Sequence, residues 1–194
     1  MGVIIQAFYW TCPGNEGQDS NWWNFLNGKV NDLQDAGFTA LWLPPATKAA
    51  DAQSMGYDPY DFYDLGDFDQ KGGTKTWFGN KSELVNLIAT AHSAGMQVYA
   101  DMVINHNSVG DALCFHPSSY ESYDEMSFGD MPDLCHRDPS VYTQMIAFAQ
   151  FLVEQIGFDG FRFDFVKGYG PWMVKAIAEV RYPNIKPPFG SGCL

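Results

Sequence analysis

The sequence is short of positive charge. Against 23 Asp and Glu it carries 11 Lys and Arg, a formal net charge of −12. A polyanion such as nucleic acid needs a basic patch to bind, so nucleic acid is excluded as a partner. Cysteine is scarce as well. Cys12, Cys114, Cys135 and Cys193 lie far apart in the chain and are too few for a disulfide scaffold. No apolar run approaches the ~18 residues of a membrane-spanning helix, so no membrane partner is expected. Met1 leads straight into Val3-Ile4-Ile5 without the basic stretch or cleavage site of a signal peptide. Close repeats and low-complexity tracts are also lacking.

What is present points to a folded domain. Hydrophobic residues make up 46% of the 194, with 15 Phe, 10 Tyr and 6 Trp, which excludes a disordered chain. Aromatic rings fill cores, or they line grooves where flat sugar faces stack. Core filling accounts for most of them.

The pattern alternates strands and helices. The apolar run 3–9 suits a buried strand. Asp19 or Ser20 is placed to cap a helix carrying Leu26, Val30 and Leu33, which Gly37 ends. Residues 38–43 form a second strand, stopped by Pro44-Pro45. Asn80 and Glu83 form a capping box ahead of Leu84, Leu87, Ile88 and Ala91. A third strand covers 96–104. Asp138-Pro139 opens a helix with Val141, Met145, Phe148, Leu152 and Ile156, which stops at Gly157. The fourth strand covers 158–165, and Pro171 opens a helix with Met173, Ile177 and Val180. Repeated βα units make a parallel sheet, because each crossover needs a helix. Two connections, 44–79 and 106–138, are long. Both follow the C-terminal ends of strands, where barrel enzymes place functional loops. Residues 181–194, rich in Pro and Gly, read as an irregular tail.

Strand four alternates. Phe161, Phe163 and Phe165 share one face, and Arg162 and Asp164 the other. Strand three puts Asp101, Val103 and Asn105 on one face. Spacing alone leaves two readings for Arg162 and Asp164, a structural ion pair or a pair that serves a substrate.

Five segments, in order, carry a resemblance. Asp101-Met102-Val103-Ile104-Asn105-His106 and Gly160-Phe161-Arg162-Phe163-Asp164-Phe165-Val166-Lys167-Gly168 resemble the two main signatures of glycoside hydrolase family 13, the α-amylase family. Gln6-Ala7-Phe8-Tyr9-Trp10 resembles its first strand. Ser54-Met55-Gly56-Tyr57-Asp58-Pro59-Tyr60-Asp61 resembles its loop after strand two. Met131-Pro132-Asp133-Leu134 resembles the short motif of its inserted domain. The likeness covers about residues 3 to 180 and is greatest to archaeal and plant-type members.

The resemblance implies a fold and roles. The fold is α/β: four βα units of a TIM-type (β/α)8 barrel, a half-barrel formed by 1–105 and 139–180, with 106–138 as a small inserted metal-binding domain. The activity is retaining hydrolysis of α-1,4-glucosidic bonds in starch-like glucans. Asp164 would be the catalytic nucleophile, held ionised by Arg162. Tyr57, His106, Lys167 and Asp101 would bind substrate. Asn105, Asp124, Asp133 and the carbonyls of Met126 and Gly168 would hold Ca²⁺, a hard cation suited to oxygen ligands. The alternative for Asp124 and Asp133 is ordinary surface acids. His116 and Cys135 match positions that bind Zn²⁺ in archaeal relatives, with Glu121 where a histidine is expected. The alternative there is a buried free thiol beside a surface histidine. Family members are secreted.

The resemblance also implies a gap. The family's general acid follows strand five and its third acid follows strand seven, and four strands stop short of both. A complete barrel typically takes ~250 residues. A homodimer that closes the barrel is therefore expected, and the alternative is a catalytically impaired, calcium-stabilised glucan-binding fragment.

Overall fold

The computed structural model describes residues 2–110, 113–119 and 126–180. The expectations for Glu121, Asp124 and the tail 181–194 fall outside these residues.

Four strands carry the parallel sheet: β1 (Ile4–Gln6), β2 (Ala40–Trp42), β5 (Gln97–Met102) and β6 (Gly160–Phe163), in the order β1-β2-β5-β6. Ile4 pairs with Ala40, Ala40 with Gln97, and Asp101 with Arg162. Each new strand adds beside the last with no reversal. A doubly wound sheet reverses at a switch point, whereas a barrel keeps adding on one side.

Along β5 the faces separate as a period of two dictates. Val98, Ala100 and Met102 are buried in the core that Leu84, Leu87, Ile88, Met145 and Phe148 complete from the helices. Gln97, Tyr99 and Asp101 point the other way, toward the interior of the expected barrel. Burial of the helix-facing side chains, each worth roughly 1.5–3 kcal/mol, holds the layers together.

The helices obey their local signals. Helix α4 (Lys81–Ser93) has a complete capping box: Asn80 Oδ1 accepts from the Glu83 amide at 3.0 Å, and Glu83 Oε2 from the Asn80 amide at 2.8 Å. Helix α5 (Pro139–Phe151) is capped by Asp138, whose Oδ1 accepts from the Ser140 amide at 2.8 Å. It runs into one π-helical turn, Leu152–Ile156, and ends at Gly157, whose φ of 102° suits glycine. Helix α6 (Pro171–Ala178) follows β6.

Three expectations need correction. The helix expected from Asp19 or Ser20 to Gly37 is two short helices, α2 (Trp22–Asn27) and α3 (Val30–Asp35), parted at Gly28-Lys29. Glycine is a poor helix former. Asp19 caps nothing; its Oδ1 accepts from Trp77 Nε1 at 2.6 Å. The 44–79 connection carries an antiparallel ribbon, β3 (Lys48–Ala49) with β4 (Pro59–Asp61). It is pinned by the buried Lys48, whose Nζ donates to the Gly73 carbonyl at 2.9 Å. Finally, β6 stops at Phe163. Phe165 takes a left-handed φ of 44° and leaves the alternation. A four-residue helix, α1 (Cys12–Asn15), was not anticipated.

Candidate active site

The polar residues gather where the parallel strands end. Asp101 stands one residue before the end of β5 with its side chain fully buried. Trp42 Nε1, from β2, donates to Asp101 Oδ2 at 3.1 Å, and Tyr57 Oη donates to the same oxygen at 2.8 Å. Arg162, its neighbour in register on β6, donates from Nη1 at 2.9 Å to Oδ1 and 3.2 Å to Oδ2. The same Nη1 donates to Asp164 Oδ1 at 2.6 Å. One guanidinium thus joins two carboxylates, with its carbon 4.8 Å above the Trp42 ring.

This geometry sorts the acids. Burial raises the carboxyl of Asp101 above its ordinary range, and the bonds from Arg162 and Tyr57 offset only part of that. Asp101 accepts three donors and faces no solvent. Asp164 keeps partial exposure at the mouth of the sheet, and the buried Tyr169 donates from its hydroxyl to the Asp164 backbone carbonyl at 2.9 Å. Burial, with Asp101 beside it, raises Tyr57 and keeps its hydroxyl protonated as a donor.

His106, expected to bind substrate, lies between Tyr57 and Phe128. It is fully buried, its Nε2–H donates to the Tyr57 carbonyl at 2.9 Å, and Phe128 stacks on its ring at 5.0 Å and 14°. Burial lowers its pKa and favours the neutral ring. Phe165 meets the edge of Phe128 at 4.9 Å. Lys167 is exposed on the turn after Asp164.

An oxygen cluster lies beside these groups. Asn105 Nδ2 donates to Asp133 Oδ1 at 3.0 Å, while Asn105 Oδ1 is buried and accepts no hydrogen bond among the described residues. A Cβ added at Gly168 would stand 1.7 Å from that oxygen and 2.7 Å from the Met126 carbonyl. Only glycine allows this approach. A buried amide oxygen without a donor, beside a carboxylate and a backbone carbonyl, fits a hard cation. Thus the structure brings Asn105, Met126, Asp133 and Gly168 together. His116 and Cys135 are on facing segments, but among the described residues no three of His, Cys, Asp and Glu converge as a metal group.

Sequence reasoning missed several residues. Trp42 orients Asp101. Trp10 is 66% exposed and stacks on Tyr57 at 6.1 Å and 21°. Trp10, Tyr57, Trp77, Met55, Phe128 and Met131 line a cleft of about 370 Å³. Trp10 ends a segment whose resemblance was noted, which was the available signal. Trp42 gave none.

The family model of the alpha amylase catalytic domain matches residues 22–125. The chain belongs to the alpha-amylase family. It is 44% identical to an alpha-amylase of Geobacillus stearothermophilus over 110 residues, which cover 57% of this chain and 19% of that protein. Probable alpha-amylase 2 of Arabidopsis thaliana is 30% identical over 204 aligned positions, covering 93% of this chain and 45% of that protein. The cytoplasmic alpha-amylase of Escherichia coli is 37% identical, covering 56% of this chain and 21% of the relative. The chain therefore spans less than half the length of these relatives. Among solved structures, alpha-amylase from Geobacillus thermoleovorans complexed with acarbose superposes with a TM-score of 0.66 at 24% identity, over 82% of this chain and 37% of that one. A maltogenic alpha-amylase from Thermotoga neapolitana gives 0.70 at 21%, over 92% and 42%. These two bear on the fold, a partial α/β barrel. No helix among the described residues is long and apolar enough to cross a membrane.

Proposed function

We propose that this chain supplies the nucleophile side of a retaining glycoside hydrolase that cleaves α-1,4-linked glucans. The observation that carries the reading is the pairing of Asp164 and Asp101 through Arg162 at the C-terminal ends of parallel strands. Arg162 donates to Asp164 Oδ1 and fixes that oxygen. The free oxygen attacks the anomeric carbon, the glycosidic C–O bond breaks, and a glycosyl ester forms. The leaving oxygen takes a proton from a general acid, ideally ~5–5.5 Å from the nucleophile. Water then releases the sugar. Asp101 is committed to Arg162 and Tyr57 and acts by positioning them. Trp10 and Tyr57 offer faces for sugar stacking.

Asn105, Asp133 and the carbonyls of Met126 and Gly168 would hold Ca²⁺, with Asp124. The cation would tie the segment after β5 to the turn after β6 and so steady Asp164. His116, Glu121 and Cys135 would hold Zn²⁺ as a second ion.

The general acid is the group this half-barrel does not supply. The edges of the sheet, β1 and β6, pair with no further strand among the described residues. A second copy of the chain is our candidate to cover them, with β6 of one beside β1 of the other, a two-fold arrangement. A single-chain mass in light scattering overturns the homodimer.

The test of function is reducing-sugar release from soluble starch. Asp164→Asn is expected to fall to background. Equal rates in variant and wild type reject Asp164 as the nucleophile. The aromatic cleft supports a second reading, a glucan-binding fragment without turnover. Retention on a starch column, with no release by wild type, selects it.

A further inference from the structure

We propose that Cys114 and Cys135 are a built site for a reversible cross-strand disulfide. This inference is independent of the catalytic reading. Phe115 pairs with Leu134 in an antiparallel bridge. The His116 amide donates to the Asp133 carbonyl at 2.8 Å, and the Cys135 amide to the Cys114 carbonyl at 3.0 Å. One register step from Phe115–Leu134 therefore sets Cys114 directly opposite Cys135.

Opposed residues of an antiparallel pair project to the same side. In a hydrogen-bonded pair their Cα atoms stand about 5.5 Å apart. A disulfide accepts Cα separations of roughly 4.4–6.8 Å. A hydrogen-bonded pair sits at the wide end of the ~4.5–5.5 Å Cβ range, and a bridge draws the Cβ atoms to about 3.8 Å, so the two segments must close by roughly 1.7 Å. Burial, with Asp138 and Cys135 beside it, raises the pKa of the Cys114 thiol, so exchange is driven at alkaline pH. Both cysteines are free thiols in this structure. Cys114 is half-buried and open to a reagent; Cys135 is buried, with its Sγ 3.0 Å from Ser118 Oγ.

The chemistry is thiol–disulfide exchange with a low-molecular-weight disulfide such as oxidised glutathione. The Cys114 thiol loses its proton and attacks one oxidant sulfur, forming a mixed disulfide and releasing one glutathione thiolate. Cys135, losing its own proton, attacks the Cys114 sulfur and releases the second. Two protein thiols are oxidised, one small disulfide is reduced to two thiols, and two protons balance. The bridge closes the segment 114–135, which carries Phe128 over His106 and Met126 and Asp133 beside Asn105. Oxidation therefore fastens the wall of the cleft.

The test uses the full chain, reduced, treated with chelator and then with oxidised glutathione. The tryptic peptide 82–137 contains both cysteines and no internal Lys or Arg. It is expected to lose two hydrogen masses, and cleavage at acidic residues between the cysteines should leave two fragments joined until reduction. The melting temperature should rise by about 5–10 °C on oxidation. Cys114→Ser should abolish both changes, Cys12→Ser neither, and Cys135→Ser should stop at the mixed disulfide on Cys114. A wild-type product that stays a mixed disulfide overturns the proposal. So does an internal bridge that forms with another cysteine.

Discussion

At the scale of single residues, the site is organised around sharing. Arg162 serves two carboxylates, and Asp101 serves three donors. Removing Asp101 frees Arg162 without touching the proposed bond-forming atom. Asp101→Asn should therefore lower kcat, on the order of 10²-fold or more, while starch-column retention survives. Loss of retention in step with kcat would indicate general unfolding. The buried Asp101 has a raised pKa, so its sign is opposite to that of a salt-bridged surface acid. The folded chain binds its proton more tightly than the unfolded chain does. That group therefore contributes stability at low pH and takes it away as pH rises through its raised pKa.

Gly168 yields a sharper prediction. A methyl there would overlap Asn105 Oδ1. Gly168→Ala should cost about 1–3 kcal/mol and erase any calcium-dependent rise in melting temperature. A preserved calcium response in differential scanning would remove Gly168 from the cation site.

At the scale of elements, legibility followed range. The capping box of α4, the Asp138-Pro139 start of α5 and the Arg162/Asp164 alternation are local, and each was readable from spacing. The split between α2 and α3 was not. Leu26, Val30 and Leu33 keep a helical period across Gly28, but Ser20 takes a left-handed φ and the entry is set by Trp77 and Phe78. Trp42 reaching Asp101, and Phe128 covering His106, join residues 59 and 22 positions apart. No local pattern encodes such pairs.

The capping box can be tested by its own acid. Glu83 bonds the Asn80 amide and pairs with Lys75 at 2.7 Å. Burial works upward on it, yet Lys75, the Asn80 amide and Asn24 together hold its pKa below the ordinary value. A lowered pKa gives stability that is present above the usual glutamate range, ~4.3, and lost as pH falls through the folded value. Glu83→Gln should retain a cap but flatten the acid limb of a stability–pH curve. Glu83→Ala should cost about 1 kcal/mol at neutral pH. An unchanged acid limb in the Gln variant would assign that limb to other carboxylates.

At the scale of the whole molecule, β1 and β6 each lack a second strand neighbour among the described residues, and Ile4 of β1 is 53% exposed. An inserted lysine on such an edge blocks pairing between chains. On the proposed homodimer, Ile4→Lys should leave the melting temperature of the monomeric form nearly unchanged and shift the light-scattering mass toward a single chain. A persisting dimer would move the interface elsewhere.

The sheet order has one more consequence. Strand order in space equals strand order in the chain. As the polypeptide leaves the ribosome, each strand meets a partner that has already emerged, and none must wait for a distant segment. Every intermediate length presents one newly made edge, and the next βα unit covers it. Assembly can then proceed vectorially during synthesis, with the unpaired edges limited to β1 and the most recent strand.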